Sequence, residues 1–223
     1  VTQSGETDMV INTKDLENRG LYRSIVGGGP HIWISKKFST PIYPWARPNQ
    51  NLVFQMYATV PVVNLTDPQG NTAHFGFSAE QAPVTQLSFG FYLLDELTGK
   101  SFAYIICAYE SRGPYTETAA SNDTFVNFAS TPVKESSQYI TKSPLSAMLQ
   151  SSPFSVKKFF KVHISTANLL KAIRDANHGL SEYLGRYRIT SAGILFELPN
   201  YVKDGYNTSA VNVSKFSVYV EQN

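Results

Sequence analysis

The stretch Gln86-Leu87-Ser88-Phe89-Gly90-Phe91-Tyr92-Leu93 decides the fold class, because apolar side chains occupy every odd position. Side chains alternate between the two faces of a strand, so this pattern predicts a strand with one face in a core. Residues 95–100 follow with turn chemistry, including Gly99, which can adopt positive φ. Residues 102–109 are apolar on both faces. We therefore expect a β-hairpin over residues 86–109 whose second strand is central and covered on both sides.

The same alternation continues on both sides of this hairpin. In residues 51–60 the even positions are apolar, which predicts another half-buried strand. Further strands are predicted at residues 31–38, 124–129, 138–141, 156–164, 186–198 and 215–220. One short α-helix is expected at about 166–177, capped by Ser165-Thr166 and followed by Gly179. The predicted fold is all-β: a two-sheet antiparallel β-sandwich of jelly-roll type with that one helix.

The domain organisation follows from the absence of a linker or of a repeat. Residues 1–20 are predicted to be a polar N-terminal segment, and residues 21–223 to form a single β-sandwich domain. Trp33 lies inside a predicted strand and is expected in the core.

Composition excludes several classes of protein. Of the 223 residues, 42% are hydrophobic and 16% are charged, which argues against disorder and against a coiled coil. A formal net charge of +2 is too small for a phosphate-neutralising surface, so no nucleic-acid partner is expected. One cysteine excludes an intrachain disulfide, and no apolar stretch is long enough to span a membrane as a helix. Low charge, scarce cysteine and abundant Tyr, Asn, Thr and Ser suggest a secreted or cell-surface protein.

Motifs for catalysis and cofactors are missing from the sequence. The four histidines never recur at i+3 or i+4, there is no cysteine cluster, and neither a nucleophile elbow nor a phosphate-binding loop occurs. No metal, cofactor or catalytic residue is therefore predicted. The exception to weigh is Glu197, which ends an apolar strand and, on a concave sheet face, would be an acid with a raised pKa. Paired with Glu110 or Asp123, it would serve a polysaccharide hydrolase or lyase.

Two aromatic loops are the predicted ligand-binding segments. Sugars present hydroxyl groups to polar side chains and C–H faces to aromatic rings. The first loop, Pro41–Gln50, is stiffened by three prolines, and the second, Tyr109–Tyr115, follows the central strand. An alternative role for Trp45 is to close an end of the sandwich. The alternative for Glu110 and Arg112 is that they form a surface ion pair. The predicted ligand contacts are Tyr43, Trp45, Arg47, Tyr109, Glu110, Arg112 and Tyr115.

A family resemblance is carried by residues 186–220. The strand Tyr187-Arg188-Ile189-Thr190-Ser191-Ala192-Gly193-Ile194-Leu195-Phe196-Glu197-Leu198, then a polar loop, then Val213-Ser214-Lys215-Phe216-Ser217-Val218-Tyr219-Val220 resembles the final strand pair of galactose-binding-like jelly-roll carbohydrate-binding modules. The resemblance implies a jelly roll and contains no binding residues. Those modules are usually shorter and lack this helix and these long loops.

Three functions remain open from the sequence. The first is an exported β-sandwich that binds a glycan or polysaccharide through its aromatic loop residues. The second is a structural or assembly subunit of an appendage, coat or surface layer, which would form a homo-oligomer. The third is the hydrolase or lyase built on Glu197.

Overall fold

The computed structural model describes residues 5–19, 29–71, 84–111, 123–128, 136–142, 154–176, 179–198 and 205–222. Within these residues the chain forms ten strands, two α-helices and one 3-10 helix. The strands are β1 (Glu6–Asn12), β2 (His31–Ile42), β3 (Gln50–Thr66), β4 (Gln86–Asp95), β5 (Lys100–Glu110), β6 (Asp123–Phe128), β7 (Ser136–Lys142), β8 (Phe154–Ile164), β9 (Tyr187–Glu197) and β10 (Tyr206–Gln222). The helices are α1 (Thr13–Asn18), α2 (Thr166–Ala176) and the 3-10 helix Leu184–Arg186.

The strands form two sheets that pack face to face, which confirms the predicted β-sandwich of jelly-roll type. The four-stranded sheet has the order β1-β10-β3-β8, and the six-stranded sheet has the order β2-β9-β4-β5-β7-β6. The predicted hairpin is β4 and β5, with Gly99 in its turn at φ +72°. β5 lies inside the six-stranded sheet, as its two apolar faces indicated.

One pair of strands departs from the antiparallel pattern. β7 runs parallel to β5, whereas β6 pairs antiparallel with β7 at the edge of the sheet. After β5 the chain returns along β6 and then enters β7, which is inserted between them. β7 must therefore point the same way as β5.

The core between the sheets is rich in phenylalanine. Phe54 of the four-stranded sheet stacks on Phe91 of the six-stranded sheet, with ring centroids 5.2 Å apart. Phe91 in turn stacks on Tyr104 of the neighbouring strand at 5.1 Å. The odd positions of β4 and the even positions of β3 from residue 52 to residue 60 are buried, as the alternation predicted.

Helix α2 matches the prediction closely. Asn168 N donates to Ser165 Oγ (3.2 Å), and Ser165 N donates to Asn168 Oδ1 (3.0 Å), so the two residues cap the first turn reciprocally. Leu169 and Ile173 lie on one buried stripe. Gly179, beyond the helix, has φ +61°.

The polar segment predicted at residues 1–20 contributes to the sandwich. β1 pairs with β10 along its whole length, from Glu6 opposite Ser214 to Asn12 opposite Thr208. Met9 and Ile11 alternate with exposed side chains and are buried in the core. The boundary proposed at residue 21 stays a prediction.

A buried polar network joins the two sheets near the start of β4. Asn207 Nδ2 donates to Thr85 Oγ1 (2.7 Å), and Asn207 Oδ1 accepts from Ser209 Oγ (2.6 Å). The hydroxyls of Thr85 and Ser209 are 2.7 Å apart, which closes a ring of hydrogen bonds. Thr13 Oγ1 accepts from Asn207 N (2.9 Å), and Ser111 Oγ accepts from Thr85 N (2.9 Å). The network thus connects α1 and β10 with the residues just before β4 and just after β5.

Candidate functional site

The candidate site lies on the face of the six-stranded sheet that is turned away from the four-stranded sheet, called here the outer face. Residues directly opposite each other on neighbouring strands point to the same face. Because Leu87, Phe89 and Phe91 face the core, the even positions of β4 belong to the outer face. This face is built on paired strands, so the positions of its side chains are fixed by the sheet.

A row of polar residues crosses the outer face at one end of the sheet. His31 on β2 is opposite Glu197 on β9, and Glu197 is opposite Gln86 on β4. Gln86 is in turn opposite the backbone of Glu110 on β5. His31 is exposed, whereas Glu197 and Gln86 are half-buried. Two carboxylate-bearing positions and an amide therefore share one row across four strands.

An aromatic pair lies beside this row. Trp33 on β2 reaches across β9 to β4, where its ring covers Gly90. A methyl group on Gly90 would lie 2.6 Å from Cη2 of Trp33, so only glycine leaves room for the ring. The edge of Trp33 meets Tyr92, with centroids 5.9 Å apart and planes at 83°. Both rings are half-buried.

A second glycine lets β2 approach closely. Gly193 on β9 is opposite both Ser35 on β2 and Gly90 on β4. A Cβ atom on Gly193 would lie 2.2 Å from the carbonyl oxygen of Ile34, which is backbone and cannot rotate away. The backbone of β2 therefore lies over the outer face of β9 at this point.

Burial raises the pKa of Glu197, and the nearby His31 partly opposes this rise. The cause is desolvation, which disfavours the charged carboxylate. A carboxyl group of this kind donates a proton more readily near neutral pH than an exposed glutamate does. The pKa of Glu197 is therefore shifted in the direction expected of a carboxyl group that acts as an acid.

The first aromatic loop lies at the opposite end of the sheet. Trp45 is 4% exposed, donates from Nε1 to the carbonyl oxygen of Ile164 (3.1 Å) and packs in the core. Its ring has the alternative role named above, closing an end of the sandwich, and is not available on the surface. Tyr43 is half-buried and Arg47 is exposed.

Tyr43 is held by a charged cluster. Its hydroxyl donates to Glu96 Oε1 (2.9 Å), and this hydrogen bond raises the pKa of the phenol. The Glu96 carboxylate also lies 3.6 Å from Arg186 and 3.4 Å from Arg188. This cluster holds the first loop against the turn between β4 and β5. The role of Tyr43 and Arg47 in ligand binding stays a prediction.

The second aromatic loop is only partly described. Tyr109 is fully buried, opposite Leu87 on the core face. The backbone of Glu110 ends β5, while Arg112 and Tyr115 lie outside the described residues, as does the side chain of Glu110. The ring of Tyr109 is therefore a core group, and the predicted contacts of Glu110, Arg112 and Tyr115 stay predictions.

The two loops do not form one site. Tyr43 contacts the turn that follows Asp95, whereas Glu110 is opposite Gln86. Nine residues of β4 separate these positions, which corresponds to about 30 Å along an extended strand. The structure instead brings Glu110 into one row with Glu197, two strands away.

Sequence reasoning assigned Trp33 to the core, and the structure corrects that assignment. Ile32 and Ile34 flank Trp33, so alternation gives no information about which face it occupies. The usable signal was the glycine at position 90, where an alternating strand should present a side chain to the outer face. Glycine inside a strand often marks the close approach of another group.

Within the described ranges, no three His, Cys, Asp or Glu side chains come together in an arrangement that would hold a metal ion. Neither α1 nor α2, nor any other described helix, has the length and apolarity needed to cross a membrane.

Comparison with known proteins gives structural likenesses of low sequence identity. No family model matches the chain, and no curated protein is similar to it in sequence. A native family 12 xyloglucanase from Bacillus licheniformis is 9% identical with a TM-score of 0.44, over 90% of this chain and 78% of that one. The family 11 xylanase from Neocallimastix patriciarum is 11% identical with a TM-score of 0.45, over 90% of this chain and 79% of that one. These likenesses assign no residue and no activity to this chain.

Proposed function

We propose that this protein is exported and binds a glycan chain across the outer face of its six-stranded sheet. The observation that carries the proposal is the half-buried Trp33–Tyr92 pair on the same face as the row of His31, Glu197 and Gln86. Aromatic rings pack on the C–H faces of sugars, carboxylates accept hydrogen bonds from hydroxyls, and amides both accept and donate them. Groups of these kinds were expected on the loops, whereas here they lie on strands.

The strand setting favours binding physically. A loop loses conformational entropy when it closes on a ligand, whereas paired strands have already lost theirs during folding. Trp33 is further restricted by Gly90 beneath it and Tyr92 at its edge.

The two tryptophans allow a direct test of this proposal. Trp33 lies on the outer face and Trp45 in the core, and the chain has no other tryptophan. A glycan array identifies the ligand, which is then titrated into every variant by isothermal titration calorimetry, while tryptophan emission is followed in the proteins that keep Trp33. We expect Trp33→Ala to weaken binding by at least about tenfold, because losing an aromatic contact costs about 1.5–3 kcal/mol. Trp45→Phe should keep both the affinity and the change in emission.

Gly90→Ala is the sharper variant, because it removes no group from the face. The added methyl group should displace the Trp33 ring, change its emission in the free protein and weaken binding to a similar extent. Unchanged affinity in a folded Trp33→Ala protein would overturn the proposed face. If no glycan on the array binds saturably, the glycan proposal is wrong. If the same sample forms an oligomer whose size depends on protein concentration, the assembly alternative is favoured.

A second candidate function, polysaccharide hydrolysis, is favoured by the raised pKa of Glu197 and its position in a row with Glu110. Two strand spacings place the two Cα positions about 10 Å apart. Inverting glycosidases use carboxyl groups about 6.5–9.5 Å apart, one as general acid and the other as general base for a water. Glu197, whose pKa is raised by burial, would act as the acid.

Glu197→Gln tests this candidate. If the protein is a hydrolase, the change should lower the rate of reducing-end release by about 10²-fold or more, because glutamine cannot donate the proton. Glu221→Gln, on the four-stranded sheet, should leave the rate unchanged. A wild-type protein that releases no reducing ends from the polysaccharide it binds, or turnover that survives Glu197→Gln, rules out this mechanism.

The same variant has a stability signature with a defined sign. In the folded state the pKa of Glu197 lies above its ordinary value of 4.5. The free energy of unfolding therefore falls as the pH rises from about 4.5 through the pKa of the folded state. Glu197→Gln removes this loss. The variant should therefore gain thermal stability over the wild type at neutral pH, and the difference should shrink at acidic pH.

A further inference from the structure

A polar groove lies on the other side of the molecule, between α1 and the solvent-facing side of the four-stranded sheet. Its volume is about 340 Å³, near the lower end of the range of small-molecule sites. The residues that line this amide groove are Asn12, Lys14, Asp15, Asn18, Asn64, Thr66, Tyr206, Asn207 and Thr208. Four of these nine are asparagines and two are threonines.

The sheet register places the lining side chains side by side. Asn12 on β1 is opposite Thr208 on β10, which is opposite Asn64 on β3. These three residues form one row across three strands. Tyr206, opposite Thr66, lies one position along the same face of the sheet. α1 follows β1 directly and forms the wall of the groove.

The floor of the groove is held by hydrogen bonds. Asn207 is part of the buried network, and Tyr206 donates from its hydroxyl to Glu17 Oε2 (2.6 Å). Lys14 Nζ lies 5.5 Å from the centroid of the Tyr206 ring. Asn12 Oδ1 caps α1 by accepting from Asp15 N (3.1 Å). These contacts fix the groove before any ligand arrives.

Other side chains in the groove are available to a ligand. Among the residues that the structure describes, the side chains of Asn18, Asn64, Thr66 and Thr208 make no hydrogen bond to protein. Each offers both a donor and an acceptor. Converging amides and hydroxyls suit a ligand that carries many hydroxyl groups. Lys14 and Asp15 have opposite charges, which disfavours a strongly charged ligand.

We propose that the amide groove is a second binding site, for a neutral saccharide of one or two units. The groove is on the four-stranded sheet, whereas Trp33 and Glu197 are on the outer face of the six-stranded sheet. The proposal therefore does not depend on the outer-face site. If both sites bind, one protein molecule would contact a polysaccharide at two places and gain avidity.

The test uses ¹⁵N-labelled Trp33→Ala protein, in which the outer face is impaired. Cellobiose, maltose, xylobiose and mannobiose are titrated separately while the asparagine side-chain amide signals are followed. We expect at least one disaccharide to shift the signals of Asn18 and Asn64. Asn64→Ala should weaken that binding by about tenfold, because one or two hydrogen bonds are lost. Gln69→Ala, on the exposed turn after β3, is the matched control.

The outcomes separate this proposal from the one for the outer face. Shifts at Asn64 that disappear in Asn64→Ala and persist in Gln69→Ala support the groove. If no disaccharide shifts these signals, or if Asn64→Ala binds as tightly as its parent, the groove proposal is wrong. Neither result changes the tryptophan titration of the outer face, which is measured with Trp33 present.

Discussion

Replacing Trp45 with alanine should lower the free energy of unfolding by about 3–5 kcal/mol. The side chain is 4% exposed, and the centroid of its ring lies 6.2 Å from that of the Phe91 ring. Alanine would leave a cavity where the loop after β2 meets the core. The carbonyl oxygen of Ile164, at the end of β8, would also lose its hydrogen bond from Trp45 Nε1.

The measurement is urea unfolding followed by far-UV circular dichroism, which does not depend on tryptophan emission. Trp45→Phe is the matched variant, since it keeps an aromatic ring but removes the N–H donor and part of the buried volume of the indole. It should cost about 1–2 kcal/mol. A loss below about 1 kcal/mol for Trp45→Ala would contradict the buried position and return Trp45 to the candidate ligand contacts.

Replacing Asn207 with leucine should destabilise the protein by about 3 kcal/mol or more. The side chain is 1% exposed, donates to Thr85 and accepts from Ser209. Leucine has a similar size but no polar atoms, so the hydroxyls of Thr85 and Ser209 each lose one hydrogen bond and keep only the one between them. Each buried hydrogen-bonding position left unsatisfied costs about 1–3 kcal/mol.

A double-mutant comparison identifies the origin of this loss. Thr85→Val alone should also be destabilising, and in an Asn207→Leu background it should cost much less, because its main partner has gone. Asn212→Leu, on the same strand but half-exposed, should have a smaller effect than Asn207→Leu. If the losses in the free energy of unfolding for Asn207→Leu and Thr85→Val are additive, the two side chains act independently and are not coupled in a network.

Much of the fold was predictable because period-two alternation was strong where one strand face is buried. β4 and β5, the core strand over residues 51–60 and helix α2 follow the sequence pattern closely. The differences lie at the edges. Residues 1–20 are described from the sequence only as a polar segment, because the exposed side chains of β1 are polar or charged apart from Val10, and β3 continues past Pro61 to Thr66. Edge positions and strand ends have weak patterns because only part of each strand is covered.

The site was harder to predict because it depends on which face each side chain occupies. Glu197 is recognisable in the sequence as a charged residue at the end of an apolar strand. Trp33 lies between two isoleucines, so the sequence does not indicate which sheet face it occupies. The row of His31, Glu197 and Gln86 joins residues from three distant segments through strand register alone. Register between distant strands is set by tertiary packing, so no local pattern contains it.

The pairing of β1 with β10 has a consequence for how the chain folds. Glu6 is opposite Ser214, and β10 also pairs along most of its length with β3. The centre of the four-stranded sheet is therefore complete only after almost the entire sequence is available. Contacts between such distant segments slow folding, because the entropy of closing the chain is lost before they form. During synthesis, β3 would expose a long apolar edge until β10 arrives, so we expect slow refolding and aggregation of truncated chains.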